Sequence, residues 1–305
     1  MRILFITSNR LGDAVLTTGL LGHLMETSPA ARFTIVAGPL GAPLFRAVPG
    51  LESLIALPKQ SWSRHWLGLW RRVVRTRWDL VVDLRDTPVS RLICARRLAV
   101  LRTPDHGEHK VVTLARAYGL DRPPAPRLWL DAPAREAAAR LLPGDGPYLA
   151  LAPAANWTGK EWPVGNYAAL AAALTAPDGP LAGAAIVLLG AAGEEARCRP
   201  VGEHVPGARI VDLVGRTDPQ LAAACIARCR LFVGNDSGLM HIAAAIGTPT
   251  LGLFGPSPAE TYGPWGARAR AVVATGEGDG SERLRRLPVA TVLQAARDLL
   301  QGAPA

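Results

Sequence analysis

Four short loops of the 305-residue chain gather side chains with chemical potential. The first, Ser8-Asn9-Arg10-Leu11-Gly12-Asp13, sets a carboxylate, Asp13, behind Gly12, where a backbone can approach closely. Asp13 is either an acid aimed at a ligand or a helix-start residue complementing the macrodipole. The loop lacks GxGxxG, so the dinucleotide fingerprint is absent. The second loop, Asn235-Asp236-Ser237-Gly238, precedes a short helix containing His241. Its backbone N–H groups, hydroxyl and positive helix end suit a phosphate or the hydroxyls of a sugar, with an ordinary N-cap as the plainer alternative. His241 reads as a packed or capping histidine rather than a catalyst. The third loop, Pro153 to Pro163, contains Lys160, the sole lysine after residue 146. That cation can neutralise a diphosphate or stand solvated at the surface. In the fourth, Gly190-Ala-Ala-Gly-Glu-Glu, either Glu194 or Glu195 can grip a ribose diol or serve as a first-turn acid.

These loops need elements that aim them, and the chain supplies a regular alternation. Apolar runs at Ile3–Thr7, Phe33–Ala37 and Leu80–Leu84 read as strands, with an amphipathic helix from about Asp13 to Thr27. After Pro143-Gly144-Asp145-Gly146-Pro147 the rhythm restarts. Strands are expected at Tyr148–Ala152, Ala184–Leu189, Arg209–Asp212, Leu231–Gly234 and Thr250–Phe254. Helices are expected at Val164–Leu174, Pro219–Ala227, Leu239–Ile246 and Val289–Leu300. Strands alternating with helices mean βαβ units and parallel sheets covered on both faces. The expected fold class is therefore α/β: two Rossmann-like doubly wound domains, residues 1–146 and 147–305, facing a central cleft. The helix at 289–300 can pack on either domain, including back onto the N-terminal one. Each of the four loops follows a strand, at the end where open α/β sheets bind ligands.

Hydrophobic residues make up 49% of the chain and charged residues 19%, which supplies packed cores and excludes disorder. The formal net charge of +9 is unevenly spread. Residues 1–146 carry 21 Lys+Arg against 12 Asp+Glu, whereas residues 147–305 carry 13 of each. One basic half beside one neutral half argues against a coating of nucleic acid, for which no recognition motif is present. Between Lys59 and Lys110 the count is 12 basic against 5 acidic. There, at helical spacing, Trp62, Trp66, Leu69, Trp70 and Val73 share one face and Arg64, Arg71, Arg72 and Arg75 the other. The tryptophan face either packs on a sheet or meets an anionic membrane surface. Four irregularly spaced cysteines fit a reduced, cytoplasmic setting rather than a disulfide framework or a metal site. The N-terminal apolar run is too short for a signal peptide, and no stretch approaches the ~20 residues of a membrane span.

Several longer motifs sharpen this. They are Asn235-Asp-Ser-Gly-Leu-Met-His-Ile-Ala-Ala-Ala with the following Gly-Thr-Pro-Thr and Phe254-Gly-Pro-Ser, then Leu11-Gly-Asp-Ala-Val-Leu-Thr-Thr, Lys160-Glu-Trp-Pro and Trp78-Asp-Leu-Val-Val-Asp-Leu. In their order along the chain they resemble glycosyltransferase family 9, the ADP-heptose:lipopolysaccharide heptosyltransferases, over nearly the whole chain. The resemblance implies a GT-B enzyme, inverting and metal-independent, that uses no cofactor because the ADP-sugar is a substrate. It implies an acceptor on the N-terminal domain and the nucleotide sugar on the C-terminal one. Asp13 would be the general base. Lys160 with Asp236-Ser237-Gly238 would face the diphosphate and sugar, Asp236 meeting sugar hydroxyls. Adenine and ribose would lie against Gly190–Glu195 and Gly215-Arg216-Thr217. Gly12, Arg64, Arg71, Arg72, Arg75 and Arg85 would meet an anionic glycolipid at the inner face of the cytoplasmic membrane. The chain departs from the family pattern at Gly19, where proline is usual, and at Arg85-Asp86, where Gln-Gly is common, with Pro88 following. The alternatives are a GT-B nucleotide-sugar epimerase or hydrolase, and a nucleotide-sugar-binding protein that has lost catalysis.

Overall fold

The computed structural model describes residues 1–101 and 107–302. The chain divides into two compact units, Met1–Asp131 and Ala132–Ala305. The first is built on a parallel sheet of β1 (Arg2–Ile6), β2 (Arg32–Ala37), β3 (Leu51–Ala56), β4 (Trp78–Asp83) and β5 (Ala95–Val100), in the order β3-β2-β1-β4-β5. The second is built on β6 (Tyr148–Ala152), β7 (Ala185–Leu188), β8 (Ile210–Asp212), β9 (Leu231–Asn235), β10 (Thr250–Phe254) and β11 (Ala269–Val273), in the order β11-β10-β9-β6-β7-β8. Every pairing is parallel. The central strands are fully buried apolar runs, such as Ile3 to Ile6 and Tyr148 to Ala152, as a sheet covered on both faces requires. Both units are Rossmann-like, and together they make the GT-B fold.

In each sheet the strand order reverses beside the unit's own first strand, between β1 and β4 and between β6 and β9. Crossovers depart to opposite faces at such a point, which leaves a crevice at the carboxyl ends of the two strands for a ligand. The loops after β1, β4, β6 and β9 are thereby singled out by topology alone.

The eight strands read from the sequence are present. The further three, β3, β5 and β11, all lie at sheet edges. Edge strands are half-solvated, so their sequences, Leu-Glu-Ser-Leu-Ile-Ala and Ala-Arg-Arg-Leu-Ala-Val among them, lack the continuous apolar run of a central strand. The boundary expected at Gly146 falls instead before Ala132. The helix Ala132–Leu141 packs on the helix Pro219–Ile226 of the second unit. Arg228 Nε then donates to the Leu142 carbonyl at 3.0 Å and its Nη2 to the Gly144 carbonyl, so Pro143–Pro147 is a turn inside the second unit. The C-terminal helix Val289–Leu300 also belongs to that unit. Val292, Ala296 and Leu299 enter its core beside Leu170 and Leu174.

Gly19 has a packing reason. A Cβ there would lie 2.1 Å from the Pro124 carbonyl oxygen. The chain segment around Pro124–Arg127 runs along the helix Thr18–Thr27, and Thr18 Oγ1 accepts from Arg127 N at 3.0 Å. The expected single helix from Asp13 to Thr27 is broken at Thr17, where Thr17 and Thr18 hydroxyls bond back to the Ala14 and Val15 carbonyls.

Candidate active site

The first switch point is spanned by a cation and an amide. The loop after β1 carries Asn9 and leads into the helix Leu11–Leu16 with Gly12 and Asp13, and the loop after β4 carries Arg85; Arg85 Nη1 donates to Asn9 Oδ1 at 2.9 Å. Both ends of this link are anchored. The Asp83 carboxylate, fully buried at the end of β4, accepts from Arg85 N at 2.9 Å and from Thr87 N and Oγ1 at 2.7 Å. Gly38 lies so close that a Cβ on it would come within 2.6 Å of the Asn9 backbone. The Arg85 guanidinium also rests on the Trp66 ring, 4.6 Å from its centroid.

Asp13 stands in the first turn of the helix Leu11–Leu16, half-buried, and its carboxylate has no hydrogen-bond or ion-pair partner among the described residues. The N-cap position is Arg10, without a side-chain cap bond. Asp13 thus makes no capping bond, and it stands in the first turn, where the macrodipole favours an acid.

The second switch point is spanned by an ion pair. Lys160 Nζ and Asp236 Oδ2 are 2.6 Å apart, on the loops that follow β6 and β9. The Asp236 side chain is only 10% exposed. Ser237 is the N-cap of the helix Gly238–Ala245, and its hydroxyl, buried, has no partner among the described residues. His241 is buried within that helix. Asn235 positions this pair: its Nδ2 donates to the Pro153 carbonyl at 2.6 Å and its Oδ1 accepts from Trp162 N at 3.0 Å. Trp162 is itself buried, edge-on to Tyr167 at 5.1 Å, with Nε1 donating to the Leu287 carbonyl at 2.9 Å. Burial raises the Tyr167 phenol well above its ordinary pKa, keeping it neutral.

The two candidate ribose acids separate. Glu194 Oε2 accepts from Ala191 N at 2.8 Å and Oε1 from Arg197 at 3.1 Å. Arg197 also pairs with Glu161 and donates to the Ala155 carbonyl at 2.9 Å, so it ties the loop after β7 to the loop after β6. Glu194 is thus committed to holding the loops. Glu195 has no such partner among the described residues, and its Oε1 lies 2.7 Å from where a Cβ on Gly215 would stand. Gly215, with φ +71°, donates its N–H to the Gly190 carbonyl at 3.0 Å, which sets Gly215 and Thr217 beside the Gly190 loop. Sequence reasoning missed Asn9, Asp83, Glu161, Arg197 and Asn235 as site-building residues. Each acts through polar contacts far away in sequence, or within a turn, that no spacing rule displays.

The basic segment folds as the helix Arg64–Val73, with Leu69 and Val73 buried and Trp66 and Trp70 packed against the same core. Trp70 Nε1 donates to the Leu92 carbonyl at 3.0 Å. Trp62 does not join that face. It lies in a preceding 3₁₀ turn with φ +55°, as does Ser63, and its side chain is 96% exposed. The left-handed residues end the helical register before Trp62, so a helical wheel misplaces it. Arg64, Arg71, Arg72 and Arg75 are exposed, and among the described residues none has a hydrogen-bond or ion-pair partner for its guanidinium. Among the described residues no three His, Cys, Asp or Glu side chains meet as a metal site would need, and no helix is long and apolar enough to cross a membrane.

Residues 85–288 match the family model "Glycosyltransferase family 9 (heptosyltransferase)". The chain belongs to this family. It is 27% identical to lipooligosaccharide heptosyltransferase 2 of Haemophilus influenzae, covering 89% of this chain and 88% of that one. Among solved structures it is similar to a glycosyl transferase family 9 protein from Veillonella parvula, with TM-score 0.83 and 20% identity over 98% of this chain and 97% of that one. It is also similar to the E. coli ADP-heptose lps heptosyltransferase II, with TM-score 0.76 and 24% identity over 99% of each chain. In this family 9 glycosyltransferase, then, both switch points carry the resemblance motifs. Lys160-Glu-Trp-Pro divides its labour: Lys160 meets Asp236, Glu161 meets Arg197, and Trp162 and Pro163 seat the strand-to-helix turn.

Proposed function

We propose that the enzyme transfers heptose from ADP-heptose to an acidic glycolipid of the lipopolysaccharide core, with inversion at the anomeric carbon. The observation that carries this reading is the Lys160–Asp236 pair across the second switch point, beside the N-terminus of the helix Gly238–Ala245. One cation, one acid and the backbone N–H groups of a helix start, gathered at a switch point, support the reading of a sugar-diphosphate site. The names borne by the similar proteins, lipooligosaccharide heptosyltransferase 2 and ADP-heptose lps heptosyltransferase II, support heptose as the sugar.

Asp13 takes the proton of the acceptor hydroxyl as that oxygen attacks the anomeric carbon, through an oxocarbenium-like state. The bond to the diphosphate oxygen breaks on the opposite face. Negative charge then gathers on departing ADP, where Lys160 and the backbone N–H groups after Ser237 stabilise it. Asp236 accepts hydrogen bonds from sugar hydroxyls and keeps Lys160 in place. The carboxylate of Glu195, which makes no hydrogen bond among the described residues, holds the ribose diol against Gly215 and Thr217, and Glu194 does not. Gly12, Arg85 and the arginines of the helix Arg64–Val73 serve the acceptor, whose phosphates and carboxylates suit guanidinium groups. The enzyme works at the cytoplasmic face of the inner membrane, held there peripherally.

The test is transfer from ADP-heptose to a purified core glycolipid by wild type and Asp13→Asn. The variant should lose at least about a hundredfold in turnover, the usual contribution of a general base, while its ADP affinity by calorimetry is unchanged. Near-normal turnover removes Asp13 from the mechanism; sugar release without glycolipid product makes the protein a hydrolase.

A further inference from the structure

We propose that Arg85 is a specificity-determining residue that grips an acidic group of the acceptor beside the base. The proposal rests on the transfer reading above. It starts from a half-buried cation that has no carboxylate partner among the described residues. Its neighbours are differently disposed: Arg91 pairs with Asp86, and both oxygens of Asp83 are taken by the Arg85 and Thr87 N–H groups and the Thr87 hydroxyl. Asp83 therefore anchors the loop and does not clasp the guanidinium. Burial pulls the Arg85 pKa down and Asp83 pushes it back up, so the charge is held at some cost.

The guanidinium is nevertheless fixed in orientation. One nitrogen, Nη1, is bound by Asn9 Oδ1, and the plane rests on Trp66. The Nε and Nη2 donors have no partner among the described residues, and this edge presents two parallel N–H groups to a carboxylate or a phosphate. Asn9 belongs to the same loop as Asp13, so a group held at Arg85 is held on the base's own switch point. A neutral acceptor at that place would leave a half-buried cation unpaired, which is the physical origin of discrimination. Glutamine, common at this family position, carries no charge to do this.

The test uses the full-length enzyme and three versions of one glycolipid acceptor: with a sugar carboxylate, with that carboxylate methyl-esterified, and with a phosphate as its sole acid. Wild type should prefer one acidic version over the ester by about ten- to hundredfold in kcat/KM, the size of a lost charge-assisted hydrogen bond. Arg85→Gln should raise the KM for that acceptor by a similar factor, leaving the ester and the ADP-heptose KM unchanged, and Arg85→Lys should restore part of it. The preferred acid names the source. Equal wild-type rates on all three, or an equal loss on acid and ester in Arg85→Gln, overturns the proposal; the second result would make Arg85 only a tie to Asn9.

A readout without turnover is the His65 imidazole, which stacks on Trp66 at 4.5 Å. Burial, then Arg85, holds its pKa below the ordinary range. The methyl glycoside of a carboxylated sugar and inorganic phosphate serve as probes. Binding of either at Arg85 should raise the His65 pKa followed by NMR, and Arg85→Gln should abolish the rise. No rise in wild type with either probe overturns the proposal. A rise in an enzyme that transfers heptose to nothing would uphold Arg85 and sink the transfer reading instead.

Discussion

Asn235 is one buried amide that decides where the donor-side cation can stand. Both of its polar atoms are spent on the loop after β6, at 2.6 and 3.0 Å. Removing the side chain would strand a buried carbonyl and a buried N–H, each costly in the absence of water. Asn235→Ala should therefore lower stability by about 1–3 kcal/mol in urea unfolding. Because the same bonds hold Lys160 against Asp236, the KM for ADP-heptose should rise more than kcat falls. Unchanged stability together with unchanged KM would mean the loop is held by Arg197 and Glu161 alone. In the chain as written, Asn235 looks like one more polar residue before a helix. Asp236 and Ser237 are legible in the sequence because acids and hydroxyls at helix starts have known chemistry, whereas a bracing amide has no local signature.

At the scale of elements, the helix Arg64–Val73 shows what periodicity reveals and where it stops. Its apolar stripe left a core and a membrane surface as alternatives for Leu69 and Val73, and packing buries both. The same wheel placed Trp62 with them, and two left-handed residues removed it to solvent. The result is a face of unpaired arginines next to an exposed indole, a combination suited to an anionic bilayer surface. Changing Arg64, Arg71, Arg72 and Arg75 together to glutamine should abolish most co-sedimentation with vesicles containing anionic phospholipid at low salt. Trp62→Ser should weaken it further and leave turnover on a detergent-solubilised acceptor largely intact. Equal sedimentation of wild type and the glutamine variant would remove this helix as the docking element. These residues are exposed, so neither change should cost much stability.

For the molecule as a whole, the charge asymmetry survives relocation of the boundary. Residues 1–131 hold 19 basic and 10 acidic side chains, while residues 132–305 hold 15 of each, so the first unit alone carries the excess. The thiols divide the same way: Cys94 is exposed in the first unit, and Cys198, Cys225 and Cys229 are buried in the second. Burial pushes Cys198 and Cys225 up to about 12 and raises Cys229 as well. A thiolate-selective reagent should label Cys94 rapidly in the native protein and reach the other three only as the second unit opens. ADP should slow that second phase by stabilising the second unit. Rapid labelling of all four would contradict the burial of Cys198, Cys225 and Cys229.

The sequence by itself determined the two-unit α/β plan, the central strands and the four chemical loops. Central parallel strands must be continuous apolar runs, and helix starts carry recognisable acids, hydroxyls and glycines, so both are written locally. It did not determine three of the four edge strands, β3, β5 and β11, which mix polar with apolar residues. Nor did it set the true boundary, because only packing shows that Ala132–Leu141 lies on Pro219–Ile226. Above all, tertiary structure separated the two candidate acids, Glu194 being hydrogen-bonded to Ala191 and Arg197 and Glu195 not, and left Arg85 with an open donor edge. Those choices depend on which long-range partner consumes each hydrogen-bonding group. Strand order brings such partners together across a switch point, and linear spacing does not encode it.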